Sequence, residues 1–155
     1  MPTAEVKTVI DAPVSEVWTA WDDFGQIDQF NPNLKRSFLI DNSASTGLGA
    51  QRQCDLADGK NHVKERIVEY VPERLMVIDI YDGTIPVKSA IARIAMVPLA
   101  DGRTELTFRF SFVPKLGVFG RLLGPLMKRQ IRKSIGQLVA ANRRFVETRA
   151  MCKAA

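Results

Sequence analysis

Hydrophobic and polar residues alternate through the middle of the chain in short runs separated by turn-forming residues. The runs fall at about Leu34 to Asp41, Gly49 to Leu56, His62 to Tyr70, Arg74 to Tyr81, Val87 to Pro98 and Thr104 to Val113, each with the length and composition of a strand. Between them stand Asp58-Gly59, Asp82-Gly83 and Asp101-Gly102, dipeptides that suit hairpin turns, and Val71-Pro72-Glu73, a tight corner. The last run has the clearest period of two. Leu106, Phe108, Phe110 and Phe112 share one face, and Glu105, Thr107, Arg109 and Ser111 the other. An aromatic face of that size needs a cover.

Upstream, Thr3 to Ile10 is rich in β-branched residues and reads as a further strand. Asp11-Ala12-Pro13 then turns the chain into a helix running to about Trp21, whose Val14, Val17, Trp18 and Trp21 recur at three and four residues. A second short helix over Phe24 to Gln29 stops at Asn31-Pro32-Asn33, because the residue before a proline is driven out of the helical region. The cover for the sheet is the C-terminal segment, where Leu126, Met127, Ile131, Ile135, Leu138, Val139, Asn142 and Phe145 follow helical spacing. Gly117, Gly120 and Gly124-Pro125 predict a short lead-in helix, a break near Gly124, and a long helix with Pro125 in its first turn. The predicted class is α+β: a seven-stranded curved antiparallel sheet wrapped around a long C-terminal helix, with two short helices after the first strand.

Composition narrows this only a little. At 155 residues, 46% hydrophobic and 25% charged, the chain is expected to form a single domain over 1–155, large enough to bury a core and still enclose a cavity. Cys54 and Cys152 are far apart and make no disulfide framework. The start, Met1-Pro2-Thr3-Ala4-Glu5, lacks the pattern of a secretory leader, and no uncharged run approaches the roughly 20 residues that span a bilayer. A reducing, cytoplasmic setting is expected. The net charge of +5 is unevenly spread: from Lys115 onward ten basic residues face Glu147 alone, so that segment carries +9 and the remainder −4.

At Asp11-Ala12-Pro13-Val14-Ser15-Glu16-Val17-Trp18, then Asp23-Phe24 and Phe30-Asn31-Pro32, the chain resembles the opening of the polyketide cyclase/dehydrase and lipid-transport group of START-like proteins. Similar residues recur at Gly49-Ala50-Gln51-Arg52, Lys64-Glu65-Arg66-Ile67, Pro86-Val87-Lys88 and the Asp101-Gly102 turn. The resemblance runs over essentially the whole chain and implies a helix-grip fold. It leaves function open, since the superfamily includes cyclases, ligand carriers, hormone receptors and quinone-binding proteins. Phe30 is a departure, standing where related sequences often carry tryptophan.

Strand parity picks out the candidate chemistry. If Val63 and Ile67 face inward, so does Glu65, while Arg52 shares a face with Cys54 and Leu56 on the neighbouring strand. A carboxylate and a guanidinium meeting in an apolar cavity would satisfy each other as a buried ion pair, anchor a ligand carbonyl or hydroxyl, or act as acid and base in enolisation and dehydration of a polyketone. Trp18, Trp21, Phe24 and Phe30 cluster at the helix pair, as core or as a gate that touches ligand. Tyr81 is a candidate for the cavity rim. Met96, Phe108, Phe110, Met127, Ile131 and Ile135 are candidate lining residues for a pocket of roughly a few hundred cubic ångströms. Arg93 and Asp79 are expected to point outward.

Other chemistries fit poorly. His62 is the only histidine and sits beside a turn, which leaves no Ser-His-Asp or Cys-His system. Neither metal-ligand spacing nor a phosphate-binding glycine loop is present, so no cofactor or metal is expected. On the basic helix, Lys128, Arg129, Arg132 and Lys133 suit a solvated face or an anionic membrane; for nucleic acid, no groove-reading or base-stacking motif accompanies them. Three function classes follow: a binding or transport protein for a lipid, quinone or polyketide-like aromatic, a cyclase or dehydrase, and an interaction module with a filled core that docks through the basic helix.

Overall fold

The computed structural model describes residues 1–115 and 117–154, with the side chains of 118 and 120 excepted; residues 116 and 155 of the expected domain lie outside the described residues. In chain order it contains β1 (Thr3–Ile10), α1 (Val14–Asp22), a 3₁₀ helix (Phe24–Gln29), β2 (Leu34–Leu39), β3 (Gln51–Leu56), β4 (His62–Val71), β5 (Leu75–Gly83), β6 (Val87–Pro98), β7 (Thr104–Pro114) and α2 (Gly117–Ala154). The seven strands form one sheet in the order β1-β7-β6-β5-β4-β3-β2, antiparallel throughout. This is the helix-grip architecture that the residue pattern and the resemblance both imply.

Curvature comes from breaks in register. Pairing slips between Leu34 and Arg36, twice along β4 around Glu65 and Val68, and between Val87 and Ser89. Each extra residue bends its strand and deepens the twist, so the sheet curls around one face. On that concave face lie Met76, Ile78 and Ile80 of β5, Ala90, Ala92, Ile94 and Met96 of β6, and Leu106, Phe108 and Phe112 of β7, all buried. Gly83 ends β5 where the backbone presses on its neighbour: a β-carbon there would lie 2.6 Å from the His62 carbonyl oxygen.

The face is closed by α1, the 3₁₀ helix and α2. Proline caps α1 as expected, with Pro13 at φ −68° just before the first helical residue. Val17, Trp18, Ala20 and Trp21 of α1 are buried. In α2, Ile135, Leu138, Val139, Asn142 and Val146 are buried at successive three- and four-residue steps and form the seam against the sheet. Trp21 Nε1 donates to Asn142 Oδ1 at 3.1 Å, which fixes α1 to α2 inside the core.

Two expectations about boundaries need correction. The C-terminal segment is one helix from Gly117 to Ala154, with Pro125 inside it rather than in its first turn after a break. Proline forfeits a single amide bond, to the Arg121 carbonyl one turn back. Arg121 and Pro125 are both exposed, so that carbonyl is not left in a dry interior, and the helix continues. Strand β2 ends at Leu39 instead of Asp41, because Asp41 and Asn42 have left-handed backbones at φ 54° and 53° that no strand continues through.

Candidate functional site

Between the concave face and the first half of α2 lies a cavity of about 690 Å³. Its origin is the size of the residues facing it. Ala92 on β6 sits in register with Ile78 and Phe110, and Cys54 with Val63, so small side chains occupy the middle of the face where the helix passes over. The cavity opens where its lining reaches exposed residues: Ala57 and Asp58 in the β3–β4 turn, Pro86 before β6, and Gln130 on α2.

Set in this mostly apolar wall is one ion pair. Arg52 and Glu65 are register partners on β3 and β4. Nε and Nη2 of Arg52 both reach Glu65 Oε2, at 2.7 and 2.6 Å. Its Nη1 donates to the Phe24 carbonyl at 2.9 Å, and the guanidinium lies 3.9 Å from the centre of the Phe24 ring. The Arg52 side chain is 4% exposed and that of Glu65 14%. Burial works against the guanidinium's charge, but the Glu65 carboxylate outweighs it and holds the Arg52 pKa above its ordinary value.

Both bonds from Arg52 fall on the same carboxylate oxygen. Glu65 Oε1 has no hydrogen-bond partner among the described residues, while Glu65 lines the cavity. Cys54 lies beside the pair, its Sγ 3.9 Å from Oε2. Burial, reinforced by the Glu65 charge, pushes the Cys54 thiol far up, so it stays a protonated, unreactive wall residue.

The structure sorts the residues singled out from the sequence. Arg52, Glu65, Trp21, Phe108 and Phe110 line the cavity, as do Met127, Ile131 and Ile135 of α2. Phe24 stands behind the wall and supports Arg52. Phe30 is buried between Trp21 and Phe145, with ring centres 5.3 and 5.4 Å away, and Trp18 packs edge-on against Tyr70 at 5.4 Å. Neither lines the cavity, and both are core. Met96 is core as well, two residues past Ile94 and opposite Leu106.

Tyr81 is a correction of a different kind. Ile78 and Ile80 point inward, so Asp79 and Tyr81 point to the convex side. There Tyr81 donates to Gln51 Oε1 at 2.8 Å under Arg66, and Arg66 pairs with Asp79 at 2.8 Å. Arg93 is exposed on the same side, as expected. Lys128, Arg129, Arg132 and Lys133 are all exposed on α2. Sequence reasoning missed the mouth, where Asn31, Pro32 and Asn33 contribute; the only available signal was that a proline-broken loop follows the 3₁₀ helix.

The sequence pattern of the family described as polyketide cyclase / dehydrase and lipid transport matches residues 1–142. The chain belongs to that family. No curated protein matches it. Among solved structures, a protein from Thermus thermophilus superposes with a TM-score of 0.80 at 15% identity, covering 96% of this chain and 99% of that one. A START superfamily protein from Mycobacterium smegmatis gives 0.77 at 18% identity, covering 96% and 97%. Norcoclaurine synthase from Thalictrum flavum gives 0.70 at 15% identity, covering 93% and 85%. At these identities the likeness is one of fold alone.

Proposed function

We propose that this family member binds a hydrophobic small molecule bearing one hydroxyl or N–H group, such as a lipid, quinol or phenolic polyketide, with its apolar body in the cavity and its donor on Glu65. The observation that carries this reading is the uncommitted Oε1 of a half-buried, Arg52-paired carboxylate in a mostly apolar wall. Arg52 holds the carboxylate in place, so an incoming donor meets a preorganised acceptor. A ligand without that donor leaves the acceptor unsatisfied and binds more weakly. The family's description, which includes lipid transport, supports the same class of ligand.

Native mass spectrometry of the purified protein, followed by organic extraction, tests it directly. A co-purified apolar molecule is the expected result. The Ala92→Phe variant, which fills the middle of the cavity, is expected to lose that molecule while keeping its circular dichroism spectrum. Retention of the same molecule by a folded Ala92→Phe protein would place the ligand elsewhere and sink the proposal.

The same free oxygen favours a second reading, in which Glu65 takes a proton from an enolisable ketone during cyclisation or dehydration. The two readings part at Glu65→Gln, which preserves shape and removes the base. A carrier still binds through the amide oxygen, weakened by the loss of the carboxylate that Arg52 holds, whereas an enzyme loses turnover far more than it loses affinity.

A further inference from the structure

We propose that the outer face of α2 between Phe119 and Lys133 is a docking surface for an anionic phospholipid bilayer, which holds the cavity mouth against the membrane. The inference concerns the outside of the helix and stands whether or not the ligand reading holds.

Phe119, Leu122, Leu123 and Leu126 follow the i, i+3, i+4, i+7 spacing of one helix face, and they are 71, 77, 43 and 66% exposed. The same row continues into Arg129 and Lys133, both exposed; Arg121, Lys128 and Arg132 are exposed on a separate flank, roughly 110–150° around the helix. No aspartate or glutamate occurs between Glu105 and Glu147. Further along the helix, Arg143 and Lys153 do have carboxylate partners, Glu147 and Glu16.

Four large apolar side chains held in water, in one row with two cations and flanked by three more further round the helix, match the layered chemistry of an anionic membrane surface, with acyl chains below and phosphates above. Other occupants match less well. A second copy meeting this face across a two-fold axis would set cations against cations with no acid to relieve them. Nucleic acid would satisfy the cations and leave the leucines in water. Location strengthens the argument: Met127, Gln130 and Ile131 of this stretch line the cavity, and the Lys115 amide donates to the Pro86 carbonyl at the mouth, at 3.1 Å.

Flotation of the full chain with vesicles tests the proposal, comparing phosphatidylcholine alone with phosphatidylcholine mixed with phosphatidylserine. Wild-type protein is expected to float with the anionic vesicles, less so as salt is raised. The Arg129→Glu/Lys133→Glu variant should bind weaker by about fivefold per charge lost, and Leu122→Ser/Leu126→Ser by roughly tenfold or more. The Arg74→Glu variant, at the opposite end of β5 from the mouth, should float like wild type. All these side chains are exposed, and thermal melting confirms that the variants fold. No flotation at low salt, equal flotation with neutral vesicles, or indifference to both double variants would overturn the proposal. So would a dimer in sedimentation that Leu122→Ser/Leu126→Ser dissolves, because a second copy would then cover the face.

Discussion

The two halves of α2 carry similar numbers of apolar residues yet do different work. From Ile135 to Val146 the helix is fastened: Ile135, Leu138, Val139, Asn142 and Val146 are buried, and Asn142 bonds Trp21 across the core. Just beyond, Glu147 accepts the Asp11 amide at 2.9 Å and Arg143 Nε at 3.0 Å, closing this end over the β1–α1 turn. From Gly117 to Lys133 the helix is a roof. Met127 and Ile131 line a cavity instead of filling it, and Phe119, Leu122 and Leu126 point to water. One half anchors the element so that the other can stand clear of the sheet and leave room for a ligand.

The largest expected effect separates the halves by stability. Leu138→Ala should cost about 3 kcal/mol, as expected for truncating a buried leucine, whereas Leu122→Ala should stay within about 0.5 kcal/mol, as for exposed positions. Chemical denaturation of the two variants measures both. Equal losses would mean that the roof is as tightly held as the fastened end.

A smaller effect is expected at the polar contact in the core. Asn142→Ala strands the Trp21 N–H in a dry interior and should destabilise by about 2 kcal/mol. The paired replacement Trp21→Phe/Asn142→Leu removes both polar partners, including an Asn142 Nδ2 that is buried without a partner among the described residues, and should recover much of that loss. A double variant no better than Asn142→Ala would show that shape, and not hydrogen bonding, matters at this contact.

The smallest effect depends on pH. Burial opposes the charge on Glu147, but the Asp11 amide and Arg143 outweigh it and hold its pKa below the ordinary 4.5. The unfolded chain therefore takes up this proton first as pH falls. The stabilisation is complete above the ordinary carboxylate range and is lost as pH drops through 4.5 toward the folded value. Glu147→Gln should lose about 1 kcal/mol at neutral pH, discounted for partial exposure, and should show a shallower acid limb in melting experiments. An unchanged limb would mean that this end of α2 is held by apolar packing alone.

Much of this was readable along the chain. The Asp-Gly turns and the two-residue period located the strands, and parity alone placed Glu65 and Arg52 on one face of adjacent strands, where the structure pairs them. Parity failed at Tyr81, because the sequence around it did not reveal which of its two alternating sets pointed in. The prolines misled in another way. Pro125 reads as a helix start, yet a long helix anchored beyond Ile135 runs through it despite a cost of about 3 kcal/mol.

The aromatic cluster shows the same limit. Trp18, Trp21, Phe24 and Phe30 were legible as a group, but only Trp21 reaches the cavity. Which ring touches a ligand, which supports Arg52 and which merely fills space depends on distances of a few ångströms between elements far apart in sequence.

The sequence by itself determined the class of fold, the order of its elements, the identity of the polar pair and the basic character of the last helix. These rest on local rules: periodicity, turn chemistry and charge count. Only the tertiary structure decided that the concave face holds a cavity and that one half of α2 roofs it while the other half binds the core. It also decided that the pair leaves one carboxylate oxygen free. The physical reason is that a cavity is a difference between volumes supplied by separate elements. Register slips in the sheet set the curvature, small residues such as Ala92 and Cys54 set the depth, and the anchoring of α2 beyond Ile135 sets the height of the roof.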